Sequence, residues 1–150
     1  MKAIPVELKV IGKIHSKYKT RNQAPRQGND EVSEIKIYEE FAEGLTDIEG
    51  FSYLHIFYWL DKSQGYNLMV QSPWDTKPHG LFTTRSPHRP NPLAFTIVEL
   101  IQRKDNILTV KGLDAIDNTP VIDIKPYVKK IDVKPDAVSG WLERKYLKND

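Results

Sequence analysis

At 150 residues the chain has the length of one ordinary domain, and its 39% hydrophobic and 28% charged residues describe a soluble globular protein. It has no cysteine, which excludes disulfides and cysteine-based metal sites, and no apolar run near the ~20 residues of a membrane helix or signal-peptide pattern at the N-terminus. The net charge of +2 selects no partner by itself. These bounds predict one cytoplasmic domain over 1–150.

In chain order, Val6 to Ile14 alternates apolar and polar residues with the period of a half-buried strand. Thr20 to Asp30 has little apolar content and reads as a long loop. Ile35 and Ile37 mark a short strand, and Tyr38 to Glu43 one or two helical turns ended by Gly44. Ser52 to Leu60 is dense in aromatic and β-branched residues, and its length suits a strand buried on both faces, with His55 a core or cross-strand residue. Further strands are expected at Asn67–Val70, Phe95–Ile101, Ile107–Lys111 and Val121–Ile124, with a hairpin turn at Lys104-Asp105-Asn106. Ser139 to Leu147 suits a short terminal helix docking through Trp141, Leu142 and Tyr146. Many short strands without alternating long helices predict a mainly β barrel or sandwich.

Chemistry concentrates in Gly80-Leu-Phe-Thr-Thr-Arg-Ser-Pro-His-Arg-Pro-Asn-Pro-Leu93. Arg85 and Arg89 stand four positions apart in a loop stiffened by Pro87, Pro90 and Pro92. A stiff loop loses little entropy on binding, and guanidinium forks suit carboxylates and phosphates. Other routes lack their signatures: there is no Gly-x-Gly-x-x-Gly after a strand and no P-loop, and His15, His55, His79 and His88 are not at metal-ligand spacing. Ser86 is not in a nucleophile elbow. Basic residues gather as Lys13, Lys17, Lys19, Arg21 and Arg26, as Arg85, His88 and Arg89, and as Lys125, Lys129 and Lys130. On one face these would attract a polyanion; scattered, they are solvated lysines.

The arginine loop resembles the signature of the tRNA threonylcarbamoyladenosine methyltransferase family, also described as TrmO or YaeB-like. Leu113-Asp-Ala-Ile-Asp-Asn-Thr-Pro-Val-Ile-Asp-Ile-Lys-Pro-Tyr127 is similar to the family's second signature, with Asn118 in place of the usual Gly. Shorter echoes are Ile11-Gly12, Pro25-Arg26-Gln27 and Gly50-Phe51-Ser52. The chain departs from the pattern at Leu93-Ala94, usually Ile-Gly, and at Tyr53, often His.

The resemblance implies a small barrel of short, largely antiparallel strands that assembles as a homodimer. It further implies an S-adenosyl-L-methionine donor, no metal, and methylation of the exocyclic N6 of threonylcarbamoyladenosine beside the tRNA anticodon. By the match, Pro25, Arg26, Gln27, Asp61, Lys62, Arg85, Phe95 and the turn Gly112-Leu113-Asp114 bind the donor. Arg89, Asn91, Asp117 and Lys125 fall to the acceptor, and the basic clusters to the anticodon arm through its phosphates. Such a donor needs a cation for its carboxylate (Arg85 or Arg26), an acceptor for its ribose (Asp61 or Asp114), and apolar walls (Phe95, Leu113, Pro25).

Structural roles compete for several of these residues. Asn91 can fix a sharp turn by bonding backbone groups, Asp117-Asn118-Thr119-Pro120 is a turn sequence, and Asp123 with Lys125 can be an ion pair. The general base stays open among His88, Asp117 and a group of the tRNA. Competing functions are a non-catalytic barrel that binds the donor or RNA, and a small-molecule methyltransferase on the same scaffold.

Overall fold

A computed structural model describes residues 4–20, 22–24, 30–73 and 75–143. Pro25, Arg26 and Gln27 lie outside these residues, as does the second half of the expected terminal helix. Six strands close into an antiparallel barrel in the order β1 (Gly12–His15), β2 (Val32–Ile37), β7 (Ile107–Lys111), β6 (Leu93–Lys104), β3 (Tyr53–Trp59) and β8 (Pro120–Pro126). A separate hairpin pairs β4 (Met69–Gln71) with β5 (Pro78–Gly80). The expected barrel of short antiparallel strands is the one observed. Closure leaves no edge in the main sheet for another chain to extend.

The strands form where side-chain alternation supplies an apolar interior. Ile14, Ile35, Ile37, Leu54, Ile56, Tyr58, Val98, Leu108, Val110 and Val121 point inward and make one core with Leu113 and Ala115. Each fully buried large aliphatic there contributes roughly 1.5–3 kcal/mol relative to an exposed one. Gly12 permits the closure between β1 and β2, because a Cβ at this position would overlap the Lys36 carbonyl oxygen.

Three expectations need correction. The strand foreseen from Val6 begins only at Gly12. Val6, Leu8 and Val10 share the even-numbered phase of Ile14, but nothing covers them, and their exposure falls from 80% through 46% to 38% as the chain nears the sheet. The aromatic strand buries one face only. Leu54, Ile56 and Tyr58 enter the core, whereas His55 and Phe57 stay half-buried on the outer wall beside the exposed Tyr53. The helical turns after Tyr38 are a 3-10 helix that runs through Gly44 to Leu45.

Other expectations are met. Asp105 takes the left-handed conformation in the two-residue turn between β6 and β7, and Asn118 does so in its own turn. A one-turn helix, α1 (Lys129–Asp132), and β5 had no sequence signal. Near the end of the described chain, Gly140–Leu142 forms a 3-10 turn whose Trp141 ring stacks 3.9 Å from His79 and donates from Nε1 to the Thr83 carbonyl at 3.2 Å. Among the described residues no helix is long and apolar enough to cross a membrane.

Candidate functional site

Antiparallel closure decides which loops meet. His15, Trp59 and Lys111 end their strands at the rim where Val32, Leu93 and Pro120 begin theirs. The connections 16–31, 60–92 and 112–119 therefore leave from and return to one rim. They carry the expected site residues Asp61, Lys62, Arg85, Arg89, Asn91, Gly112, Leu113, Asp114 and Asp117. Strand ends distant in sequence thus meet at one end of the barrel.

The arginine loop is stapled as well as proline-braced. Leu60 N donates to the Pro92 carbonyl at 2.8 Å, and Ser63 Oγ to the Pro87 carbonyl at 2.9 Å. Arg89 Nη1 donates to the carbonyls of Thr84, at 2.9 Å, and Ser86, at 3.2 Å, with the guanidinium 5.9 Å from the centre of the Phe82 ring. Arg89 thus ties the loop to itself, while Arg85 is exposed on that same loop. Asn91 is exposed, and its carbonyl accepts the Leu93 N–H at 2.6 Å, so the residue sits in a sharp main-chain turn. The side chains of Asp61 and Lys62 are likewise exposed at the end of β3.

Asp114 is held by the barrel interior. Its Oδ1 accepts the buried Tyr58 hydroxyl at 2.5 Å and the Thr96 hydroxyl at 3.2 Å, and those two hydroxyls lie 2.9 Å apart. Burial, then the Asp114 charge, pushes the Tyr58 ionisation well above its ordinary value, so the phenol remains a donor. Oδ2 has no hydrogen-bond partner among the described residues. Gly112 makes the turn possible through a φ of 103°, and its N–H reaches the Glu31 carbonyl at 3.0 Å. Leu113 is fully buried in the core, so only its main chain can serve a ligand at the rim.

Phe95 faces the outer wall. It lies opposite Phe57 with ring centres 5.3 Å apart and stacks on His55 at 5.2 Å. The expected apolar walls Phe95 and Leu113 therefore point to opposite sides of the barrel. His55 Nε2 donates to Asp132 Oδ2 at 3.0 Å, which also takes the Val128 N–H at 2.8 Å, so this histidine anchors α1 to the wall.

Asp117 pins two rim loops together. Its Oδ1 accepts the Ser16 N–H at 3.0 Å and its Oδ2 the Lys19 ammonium at 2.7 Å, with His15 Nδ1 3.7 Å away. Chiefly the Lys19 bond, then the Ser16 N–H, holds its carboxyl below the usual aspartate range. A carboxyl depressed by folding contributes stability above its unfolded pKa and loses that contribution as pH falls through the folded one. Asp117→Asn should therefore lower the urea midpoint at pH 7, and the gap to wild type should close as pH drops below about 3.8, the ordinary value. A gap of the same size at pH 3 and pH 7 would refute the ionic role.

Lys125 is not brought to the rim. It lies opposite His55 on β3, four residues or roughly 13 Å from Trp59. It pairs with Asp123 at 3.3 Å, the ion pair foreseen as its structural role. Sequence reasoning missed an open cavity of about 420 Å³ beside the arginine loop, bordered by Tyr66, Asn67, Gln71, Ser86 and His88. Its volume falls in the range of small-molecule sites. His88 there places Nδ1 3.1 Å from Ser63 Oγ.

Residues 13–133 match the tRNA-methyltransferase O N-terminal domain family. A probable S-adenosyl-L-methionine-binding protein of Archaeoglobus fulgidus is 50% identical over 140 residues, 92% of this chain but 38% of the relative. The tRNA (adenine(37)-N6)-methyltransferase of Escherichia coli is 35% identical over 147 residues, covering 89% of this chain and 62% of the enzyme. A crystal structure of TrmO from Pseudomonas aeruginosa superposes with a TM-score of 0.76 at 27% identity, over 92% of this chain and 63% of that one. The chain thus spans between about a third and two thirds of the length of these relatives.

Proposed function

The chain belongs to the tRNA-methyltransferase O N-terminal domain family, and from that premise we propose that it is an S-adenosylmethionine-dependent tRNA methyltransferase. Its acceptor is the exocyclic N6 of threonylcarbamoyladenosine next to the anticodon. The observation that carries this reading is that the matched loops leave from and return to one rim, with a cavity of small-molecule size bordering the arginine loop. The activity named for the Escherichia coli relative supports it.

In this site the Arg85 guanidinium holds the donor's methionine carboxylate, and Asp114 Oδ2 accepts a ribose hydroxyl. The bound donor would supply an activated sulfonium methyl to the N6 nitrogen of the acceptor and would depart as S-adenosylhomocysteine. The N6 proton is released to a base among His88, Asp117 and a tRNA group. The donor arrives with its methyl activated, so the protein's part is alignment of sulfur, methyl and nitrogen.

Incubation with methyl-labelled donor and tRNA carrying the threonylcarbamoyl group should put label on N6, and tRNA lacking that group should stay unlabelled. Label on both tRNAs or on neither overturns the acceptor assignment. The name of the Archaeoglobus relative favours one alternative, a barrel that binds the donor without transferring its methyl. Donor binding in calorimetry with no labelled tRNA would establish that alternative.

The homodimer belongs to the same proposal. Tyr53, Leu93, Ile97 and Ile101 leave 41–49% of their surface exposed on the outer wall of β3 and β6, an apolar patch suited to a second copy. Ile97→Lys should halve the mass seen by light scattering. A monomeric wild type, or a dimeric variant, would rule out this interface.

A further inference from the structure

One row of the barrel wall carries lysines that no ion pair among the described residues engages. Lys13 of β1 stands directly opposite Lys36 of β2. Lys36 is opposite Ile107 of β7, and Ile107 is opposite Lys104 of β6. A single hydrogen-bonding row thus crosses four strands, with exposed lysines on three of them. At the spacing of paired strands, Lys13 and Lys36 start about 5 Å apart and Lys104 about 10 Å beyond Lys36.

Like charges placed directly opposite each other destabilise a sheet. Elsewhere the protein offsets such charge: Lys17 pairs with Glu31, Lys19 with Asp117, Lys111 with Asp30 and Lys125 with Asp123. None of the salt bridges among the described residues uses Lys13, Lys36 or Lys104. The nearest acids in sequence and register, Glu34 and Asp105, pair with none of them either. The first basic cluster of the sequence is thereby divided: Lys17 and Lys19 are engaged in ion pairs, whereas Lys13 is in none among the described residues.

We infer that Lys13, Lys36 and Lys104 form a docking strip for the sugar–phosphate backbone of RNA, contacted outside the rim site. The residue between the lysines is Ile107, so the row has ammonium groups and no aromatic platform. Point charges without stacking surfaces hold phosphates and do not read bases. The direction of the row suits a helical stem. Strands in a closed barrel tilt by roughly 35–45°, so a row perpendicular to them slopes along the wall. It starts at Lys13, two residues from His15 at the rim, and ends at Lys104 beside the turn at the opposite end. A stem lying on this slope presents its loop to the rim. This inference rests on the tRNA reading above and says which wall carries the substrate.

The test is the salt dependence of total-tRNA binding, read by fluorescence anisotropy, for wild type and for K13Q/K36Q/K104Q. Each lost phosphate contact lowers the slope of log affinity against log salt by about 0.7–0.9, so the triple variant should lose about two to three units. Its affinity for S-adenosylmethionine should be unchanged. K129Q/K130Q/K134Q removes the same charge from exposed positions of and beside α1 and should keep a steeper slope than the row variant. An unchanged slope for the row variant, or equal losses from both variants, overturns the strip while leaving the tRNA reading standing. A wild type that binds no tRNA overturns both.

Discussion

Replacing Arg85 by alanine should weaken S-adenosylmethionine binding by roughly 10- to 150-fold, the loss expected for one charge-assisted bond of about 1.5–3 kcal/mol. Arg85 is exposed, on a loop whose shape is braced from several other points. That shape rests on Arg89, on Ser63 and on the bond from Leu60 N to Pro92. The variant should therefore melt within a few degrees of wild type while calorimetry registers the loss of affinity. Arg85→Lys should recover only part of it, because an ammonium cannot reproduce a bidentate guanidinium–carboxylate pair. Wild-type affinity in Arg85→Ala would remove this residue from the donor site.

The loop's rigidity was legible in Pro87, Pro90 and Pro92; its cause was only half legible. Proline constrains φ locally, whereas the staple needs Arg89 to fold back on carbonyls three and five residues earlier. No spacing rule in a sequence distinguishes an arginine facing its own loop from one facing a ligand. The same limit applies to Asp117, whose bond with Lys19 spans 98 positions.

The barrel walls were easier to read because alternation has a local cause. Leu54, Ile56 and Tyr58 repeat every second residue, as do Leu108 and Val110, and all enter the core. Alternation gives the phase of a strand but not whether anything covers it. Val6, Leu8 and Val10 keep the phase of Ile14 and remain exposed. Phe57 and Phe95 have strand-core chemistry yet pair across the outer wall. Burial there depends on which strands become neighbours, and closure of β1 on β8 joins segments more than a hundred residues apart.

Asp114→Ala should also weaken donor binding by about 10- to 150-fold, through loss of a charged acceptor for the ribose. Its difficulty as a test is that Asp114 serves the core as well. Tyr58 and Thr96 both donate to Oδ1, so the alanine variant removes two internal bonds along with Oδ2. The Tyr58 and Thr96 hydroxyls still have each other at 2.9 Å, which limits the damage to the fold. Tyr58→Phe separates the two roles, because it deletes the core bond and keeps the carboxylate at the rim. With Oδ2 as the ligand group, Tyr58→Phe lowers stability by about 1 kcal/mol and keeps donor affinity within a few-fold of wild type, whereas Asp114→Ala loses affinity at least tenfold. If the two variants weaken binding equally, the carboxylate acts only by ordering the turn after Gly112. If Asp114→Ala binds the donor as wild type does, the ribose contact lies elsewhere on the rim, with Asp61 the remaining carboxylate among the expected donor-binding residues.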